Sequence, residues 1–105
     1  LLGTMVANGV ANGLKFGDSV KVELSRAGDL AVLCIDDDGP GVSPSERETV
    51  FEPFFRTRDA LSRRIPGHGL GLALIRHVAE AHGGGARLAD PPARGARLEI
   101  RLPVT

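Results

Sequence analysis

Residues 30–44 read LAVLCIDDDGPGVSP. In this stretch the pattern of a buried strand is followed immediately by turn-forming residues, and the other predicted elements are placed relative to that strand. Residues 30–35 are continuously apolar and short, which is typical of a strand in the middle of a sheet. Upstream, residues 19–25 alternate strictly between apolar and polar side chains, which predicts a half-buried strand. Because the turn-forming residues 27–29 lie between them, the two strands are expected to form a hairpin.

Helices are predicted on both sides of this hairpin along the chain. Residues 1–16 place apolar side chains three and four positions apart, which predicts an amphipathic helix. Ser43-Pro44-Ser45-Glu46 fits a capping box and predicts a short helix that ends near Phe51. The remaining elements are a helix and two strands, expected at residues 70–82, 86–89 and 96–102. This order predicts an α/β (α+β) two-layer sandwich, with a mixed, mostly antiparallel sheet and about three helices on one face.

Composition restricts the class of protein. With 105 residues, 42% hydrophobic and 25% charged, the chain is expected to be one globular domain, residues 1–105. No apolar run approaches the roughly 20 residues of a membrane span, and no signal peptide is apparent. A net charge of zero argues against general nucleic-acid binding. The chain begins at Leu1, inside an apolar segment, so we expect a fragment of a longer protein.

Two polar segments are candidates for ligand binding. Asn8 and Asn12 are four residues apart on the first predicted helix, with Lys15 three further on, so their side chains stack along one face. Amides and an ammonium suit a phosphate chain and its Mg²⁺; the alternative is a polar stripe facing water. Asp37-Asp38-Gly39-Pro40-Gly41 follows a buried strand; its glycines allow a ligand to approach closely, and a carboxylate at the strand end suits an exocyclic amine on that ligand. Here the alternative is an ordinary acidic turn.

A long basic loop and a glycine-rich helix start follow. Residues 52–68 are too long for a simple turn, and loops of this length in small domains are usually functional lids or disordered. Gly67-His68-Gly69-Leu70-Gly71 leads into a helix, where free backbone N–H groups favour an anion. This segment is not a phosphate-binding P-loop, because it lacks the Gly-Lys-Ser/Thr triplet. Taken alone it is a weak signal.

In combination, these segments resemble a known family. NGVANGLKF (residues 8–16), DDDGPGV (36–42), VFEPFFR (50–56) and GHGLGLALIRHV (67–78) are similar to the N, G1, F and G2 boxes of sensor histidine kinases. The resemblance covers nearly the whole chain, and its short-lid pattern looks most like the osmosensor type. It implies the catalytic and ATP-binding domain, with the Bergerat fold that gyrase, Hsp90 and MutL share, on the cytoplasmic side of a bacterial sensor.

The resemblance also assigns roles to single residues. It implies ATP and Mg²⁺ as cofactors, with Asn12 as the Mg²⁺ ligand and Asn8 and Lys15 beside it contacting phosphates. It implies that Asp37 accepts a hydrogen bond from adenine N6. Residues that would support Asp37 or line the base pocket are Phe16, Gly39, Gly41 and Val42. Residues of the lid, 52–68, and the following helix start that would close over or contact the phosphates are Arg56, Gly67, His68, Gly69, Leu70 and Gly71.

The implied reaction is transfer of the γ-phosphoryl group to a histidine on a dimerisation and phosphotransfer domain, with a response regulator downstream. That histidine box is absent here, so the catalytic base and acceptor lie elsewhere. Members of the superfamily that hydrolyse ATP resemble each other in carrying a Glu four residues before the metal-binding Asn. Here that position is Asn8, and an amide cannot take the proton, which favours transfer over hydrolysis. A degenerate interaction module and an anti-sigma serine kinase remain alternatives.

Overall fold

The computed structural model describes residues 2–53 and 71–104. Two α-helices, two 3₁₀ turns and four strands make up this part of the chain. In chain order they are α1 (Leu2–Phe16), β1 (Val20–Ala27), β2 (Leu30–Asp37), 3₁₀ turns at Pro44–Glu46 and Thr49–Phe51, α2 (Gly71–Ala81), β3 (Gly85–Ala89) and β4 (Ala96–Pro103). Within the described ranges, no helix is long and apolar enough to span a membrane.

The four strands form one sheet in the order β1-β2-β4-β3. All three pairings are antiparallel, and the hairpin predicted between the first two strands is present. The β2–β4 register places Asp37 opposite Ala96, which brings the end of β2 beside the start of β4. The predicted two-layer sandwich with a largely antiparallel sheet is therefore confirmed, and the described strands contribute no parallel pair.

The core lies between the two helices and one face of the sheet. Ile75 of α2 and Ile100 of β4 are fully buried at its centre. α1 approaches β2 closely because Gly9 has no side chain: a Cβ there would collide with Ile35 Cδ1. The glycine that weakens the helix on propensity therefore has a packing role.

The structure corrects two local predictions. β1 is not half-buried: Val22 is 43% exposed and Leu24 62% exposed. The helices pack mainly over β2, β4 and β3, and they leave most of β1 uncovered. The predicted capping box does not form, and the short helix is a pair of 3₁₀ turns. The Glu46 backbone N–H donates to the Ser43 carbonyl, while the Ser43 hydroxyl donates to the Glu46 carboxylate instead of capping.

Candidate functional site

The polar face of α1 forms one side of the candidate site. Asn8 and Asn12 are half-buried, Phe16 is half-buried at the end of the helix, and Lys15 is exposed. Within residues 2–53 and 71–104, neither asparagine side chain has a hydrogen-bond partner. Their amide groups, one helical turn apart, are therefore free to bind a ligand as far as the described residues are concerned.

The three consecutive aspartates at the end of β2 have three different environments. Asp36 forms a two-point ion pair with Arg97 of β4, with N–O distances of 2.7 and 2.9 Å. Asp38 lies in the loop, where its carboxylate accepts hydrogen bonds from the backbone N–H groups of Asp18 and Ser19 at 2.8 and 3.0 Å. Strand alternation separates Asp36 from Asp37, and only Asp37 turns toward α1.

Asp37 is half-buried beneath the last turn of α1. Its Oδ1 accepts a hydrogen bond from the backbone N–H of Gly39 at 2.9 Å. A Cβ placed on Gly13 would lie 3.4 Å from Asp37 Cβ, so the helix packs directly against this carboxylate. Burial raises the pKa of Asp37 above its ordinary value, while hydrogen bonds from the Gly39 and Ala96 backbones oppose the rise. A partly desolvated carboxylate of this kind gains by accepting a further hydrogen bond.

The glycines of the DDDGPG segment fit between two neighbouring pieces of backbone. A Cβ on Gly39 would lie 2.7 Å from the Phe16 carbonyl oxygen at the end of α1. Gly41 has φ +81°, and a Cβ there would lie 2.8 Å from the Gly95 carbonyl oxygen. A larger residue at either position would push the loop away from α1 or β4. Val42, next in the chain, is half-buried and packs against the core.

Sequence reasoning missed the contribution of the β3–β4 loop. The Arg94 guanidinium donates from Nε to the Gly39 carbonyl at 3.2 Å, and the Ala96 backbone hydrogen-bonds Asp37. Both residues are more than 50 positions away from the loop they contact. These contacts follow from the antiparallel β2–β4 register, which cannot be predicted from any local motif.

The segment that enters the predicted lid is anchored on α2. Phe51 is buried, and the Arg76 guanidinium stacks over its ring at 4.0 Å from the centroid. Arg76 also donates to the Glu48 carboxylate and, at 3.1 Å, to the Ala86 carbonyl.

Of the remaining predicted site residues, Gly71 is exposed as the first residue of α2. Arg56, Gly67, His68, Gly69 and Leu70, with most of residues 52–68, lie outside the described residues.

The residues present fit a magnesium ion that is shared with a phosphate ligand. In the described part of the chain, no group of three or more His, Cys, Asp or Glu side chains is arranged to hold a metal alone. A cation here relies on an amide oxygen, with phosphates and water completing its shell, which is how Mg²⁺ is commonly bound. The half-buried amide of Asn12 meets that requirement.

Known proteins are similar to this chain over nearly its whole length. The whole chain, residues 1–105, matches the family described as histidine kinase-, DNA gyrase B- and HSP90-like ATPases. It is 41% identical over 105 residues to the sensor histidine kinase CpxA of Escherichia coli (strain K12), with 98% of this chain and 23% of CpxA covered. The chain thus spans about a quarter of the length of that relative.

Solved structures show the same likeness. The mycobacterial sensor histidine kinase MprB superposes with a TM-score of 0.83 at 40% identity, covering 97% of this chain and 69% of that one. Full-length ShkA in complex with AMPPNP gives 0.82 at 28% identity, covering 97% and 21%. The histidine kinase domain of the E. coli osmosensor EnvZ gives 0.64 at 35% identity, covering 96% and 62%. The predicted fold is confirmed, and this chain belongs to the family of histidine kinase-, DNA gyrase B- and HSP90-like ATPases, with sensor histidine kinases as its relatives.

Proposed function

We propose that this domain binds ATP with Mg²⁺ and presents the γ-phosphoryl group to a histidine on the dimerisation and phosphotransfer domain of a sensor kinase. The placement of Asp37 carries the proposal. Its carboxylate is half-buried between the end of α1 and a loop whose glycines pack directly against the Phe16 and Gly95 backbones. Such a carboxylate recognises adenine by accepting a hydrogen bond from N6, and a base without that amine leaves it unpaired.

The phosphate end of the ligand lies along the polar face of α1 in this proposal. Asn12 supplies an oxygen to Mg²⁺, and Asn8 and Lys15 contact phosphate oxygens. The ion, when bound, neutralises charge on the phosphates. Phe16 and Val42, both half-buried, border the base, while Arg56 and the glycine-rich residues 67–71 close over the phosphates.

Transfer to a protein acceptor is favoured over hydrolysis because of Asn8. The amide at this position cannot accept a proton from an attacking water at neutral pH. Phosphoryl transfer depends mainly on positioning and charge stabilisation, and the residues on α1 and β2 supply both. The acceptor histidine, its neighbouring base and the downstream response regulator belong to partner domains.

Calorimetric titration and a transfer assay test the proposal together. We expect ADP and AMPPNP to bind the 105-residue chain, with affinity for the triphosphate analogue rising when Mg²⁺ is added. A separately produced histidine-containing dimerisation domain should then become labelled from γ-labelled ATP only when this chain is present. Absence of nucleotide binding by a folded chain would refute the ATP site. Binding without transfer, to that acceptor or to any other sensor-kinase acceptor, would instead favour a nucleotide-dependent interaction module.

A further inference from the structure

The orientation of the Asp37 carboxylate is set by hydrogen bonds from the neighbouring backbone. The Gly39 N–H donates to Oδ1 at 2.9 Å, and the Ala96 backbone hydrogen-bonds the same carboxyl group. The other oxygen, Oδ2, lies on the α1 side, 3.8 Å from where a Cβ on Gly13 would be. Ala96 is fixed by the strand ladder of β4, whereas Gly39 lies in a loop. A shift of Gly39 would turn the carboxylate, so recognition of a base requires Gly39 to be held in place.

Gly39 is a flexible residue at a position where a stiffer residue does not fit. A Cβ here would lie 2.7 Å from the Phe16 carbonyl oxygen, so the close approach of α1 requires glycine. Glycine has the widest backbone freedom of any residue. The next residue is Pro40, whose nitrogen carries no hydrogen, so the peptide between them can be held only through the Gly39 carbonyl. A donor to that carbonyl therefore restrains the loop at its most flexible residue.

Arg94 supplies this donor from the β3–β4 loop. Its Nε donates to the Gly39 carbonyl at 3.2 Å. With its N–H bonded to Asp37 and its carbonyl bonded to Arg94, Gly39 has both of its polar groups fixed. We propose that Arg94 is a positioning residue for adenine recognition, which acts on Asp37 through Gly39; this inference rests on the proposed function of the site.

The loop that carries Arg94, residues 90–95, is anchored at both ends. At its start, Asp90 forms an ion pair with Arg47, with an N–O distance of 2.6 Å. At its end, Gly95 packs so closely that a Cβ there would collide with the Asp37 carbonyl oxygen. Because the loop is attached on both sides of the site, the Arg94 guanidinium extends from a fixed base. It can therefore restrain Gly39 instead of moving with it.

Two substitutions separate positioning from simple attraction of phosphates by a positive charge. Arg94 is exposed, and a guanidinium attracts phosphates over a distance of about 10 Å. Arg94→Gln removes the charge but keeps a donor nitrogen at the same number of bonds from the backbone as the arginine Nε. Arg94→Ala removes both. If Arg94 acts by positioning, the glutamine variant should behave like wild type, and adenosine and ADP should be affected by the same factor.

Calorimetric titration of the 105-residue chain with ADP, IDP and adenosine tests the proposal. Arg94→Ala should raise the Kd for ADP by about threefold to tenfold, the range expected for one hydrogen bond, and should reduce the preference for ADP over IDP. In an Asp37→Asn background, Arg94→Ala should have no further effect on ADP affinity, because the two residues act through one hydrogen-bonded chain. Without nucleotide, amide hydrogen exchange at Gly39 should be faster in Arg94→Ala than in wild type.

Arg26→Ala is the matched control. The Arg26 Nε donates to the Gly28 carbonyl at 2.9 Å, so this variant loses the same charge and the same kind of hydrogen bond at the opposite end of the β1–β2 hairpin from Asp37. It should leave both ADP affinity and the preference over IDP unchanged.

The outcomes distinguish this proposal from the proposed function. Absence of ADP binding by the folded wild-type chain would refute the proposed function, and a role of Arg94 in base recognition with it. If wild type binds ADP, a purely structural role predicts that Arg94→Ala unfolds at a lower temperature but keeps the wild-type preference over IDP, and that result would overturn this proposal alone. Equal losses in Arg94→Gln and Arg94→Ala, unchanged adenosine affinity in Arg94→Ala, or unchanged exchange at Gly39 would overturn it as well.

Discussion

Replacing Asp37 by Asn tests the adenine-recognition argument with a change of very few atoms. The Asp37 carboxylate already accepts the Gly39 N–H at Oδ1, 2.9 Å away, and hydrogen-bonds the Ala96 backbone. In the variant, the Gly39 N–H holds the amide oxygen at the Oδ1 position, so the amide NH₂ takes the other position and faces the ligand. A donor then meets the N6 amine, which is also a donor, and the hydrogen bond is lost rather than weakened.

The expected loss follows from the charge on the acceptor. Hydrogen bonds to charged groups contribute about 1.5–3 kcal/mol, and each 1.4 kcal/mol is tenfold in Kd. Asp37→Asn should therefore raise the Kd for ADP by roughly tenfold to a hundredfold. Wild-type protein should prefer ADP over IDP, which lacks the exocyclic amine, and the variant should lose that preference.

The assay is calorimetric titration of both proteins with ADP and IDP. Asp29→Asn is the matched control, because Asp29 is exposed in the turn between β1 and β2 and should leave both affinities unchanged. Adenine recognition by Asp37 is contradicted if the Asp37→Asn protein has a Kd for ADP within about twofold of the wild-type value. It is contradicted as well if the wild-type protein binds ADP and IDP equally.

Folding stability provides a second readout on the same variant, with the opposite sign. Burial raises the pKa of Asp37, so the folded state favours the protonated acid, and stability falls as pH rises from the ordinary carboxyl pKa through the raised one. Above that range the charged, half-buried carboxylate destabilises the apo fold. Asp37→Asn should unfold at an equal or higher temperature than wild type near pH 7, and the difference should shrink at acidic pH.

Three further predictions concern stability, measured by urea or thermal unfolding. Gly9→Ala should gain less stability than Gly3→Ala, because relieving the contact with the Ile35 δ-methyl offsets a helix gain of up to about 1 kcal/mol. Gly3→Ala, which meets nothing within 4 Å, should be neutral or stabilising, and a larger gain at Gly9 would contradict the packing role. Asp38→Ala should lower the Tm, because the hydrogen bonds from the Asp18 and Ser19 backbones are lost. Those hydrogen bonds lower the pKa of Asp38, so the difference in Tm between variant and wild type should disappear as acid protonates wild-type Asp38. Glu99→Ala should lower the free energy of unfolding by about 1–2 kcal/mol. Burial opposes ionisation of Glu99, but Arg101 and Arg87 outweigh it and hold the pKa of this carboxyl below its ordinary value. An unchanged stability near pH 7 would contradict that account.

Local patterns were sufficient to predict the elements of this fold but not the environment of each residue. Strand alternation and helix periodicity predicted every helix and strand described, to within about two residues at their ends. They did not show that β1 is exposed, because alternation indicates that a strand has an apolar face but not whether a helix covers that face. That coverage depends on strand order, which is a property of the whole sheet.

The three aspartates at the end of β2 show the same limit at the level of the site. As a sequence, Asp36-Asp37-Asp38 is an acidic turn whose members are equivalent, and the family resemblance alone singled out Asp37. The structure separates them physically. Asp36 is neutralised by Arg97, and Asp38 accepts hydrogen bonds from the backbone that follows α1. Asp37 is half-buried and forms no ion pair with a cation in residues 2–53 and 71–104. Asp37 is held by backbone N–H groups alone, so a ligand that donates a further hydrogen bond gains most at this carboxylate. The partner that distinguishes Asp36 lies 61 residues away along the chain, so no window of sequence around the aspartates contains the information that assigns their roles.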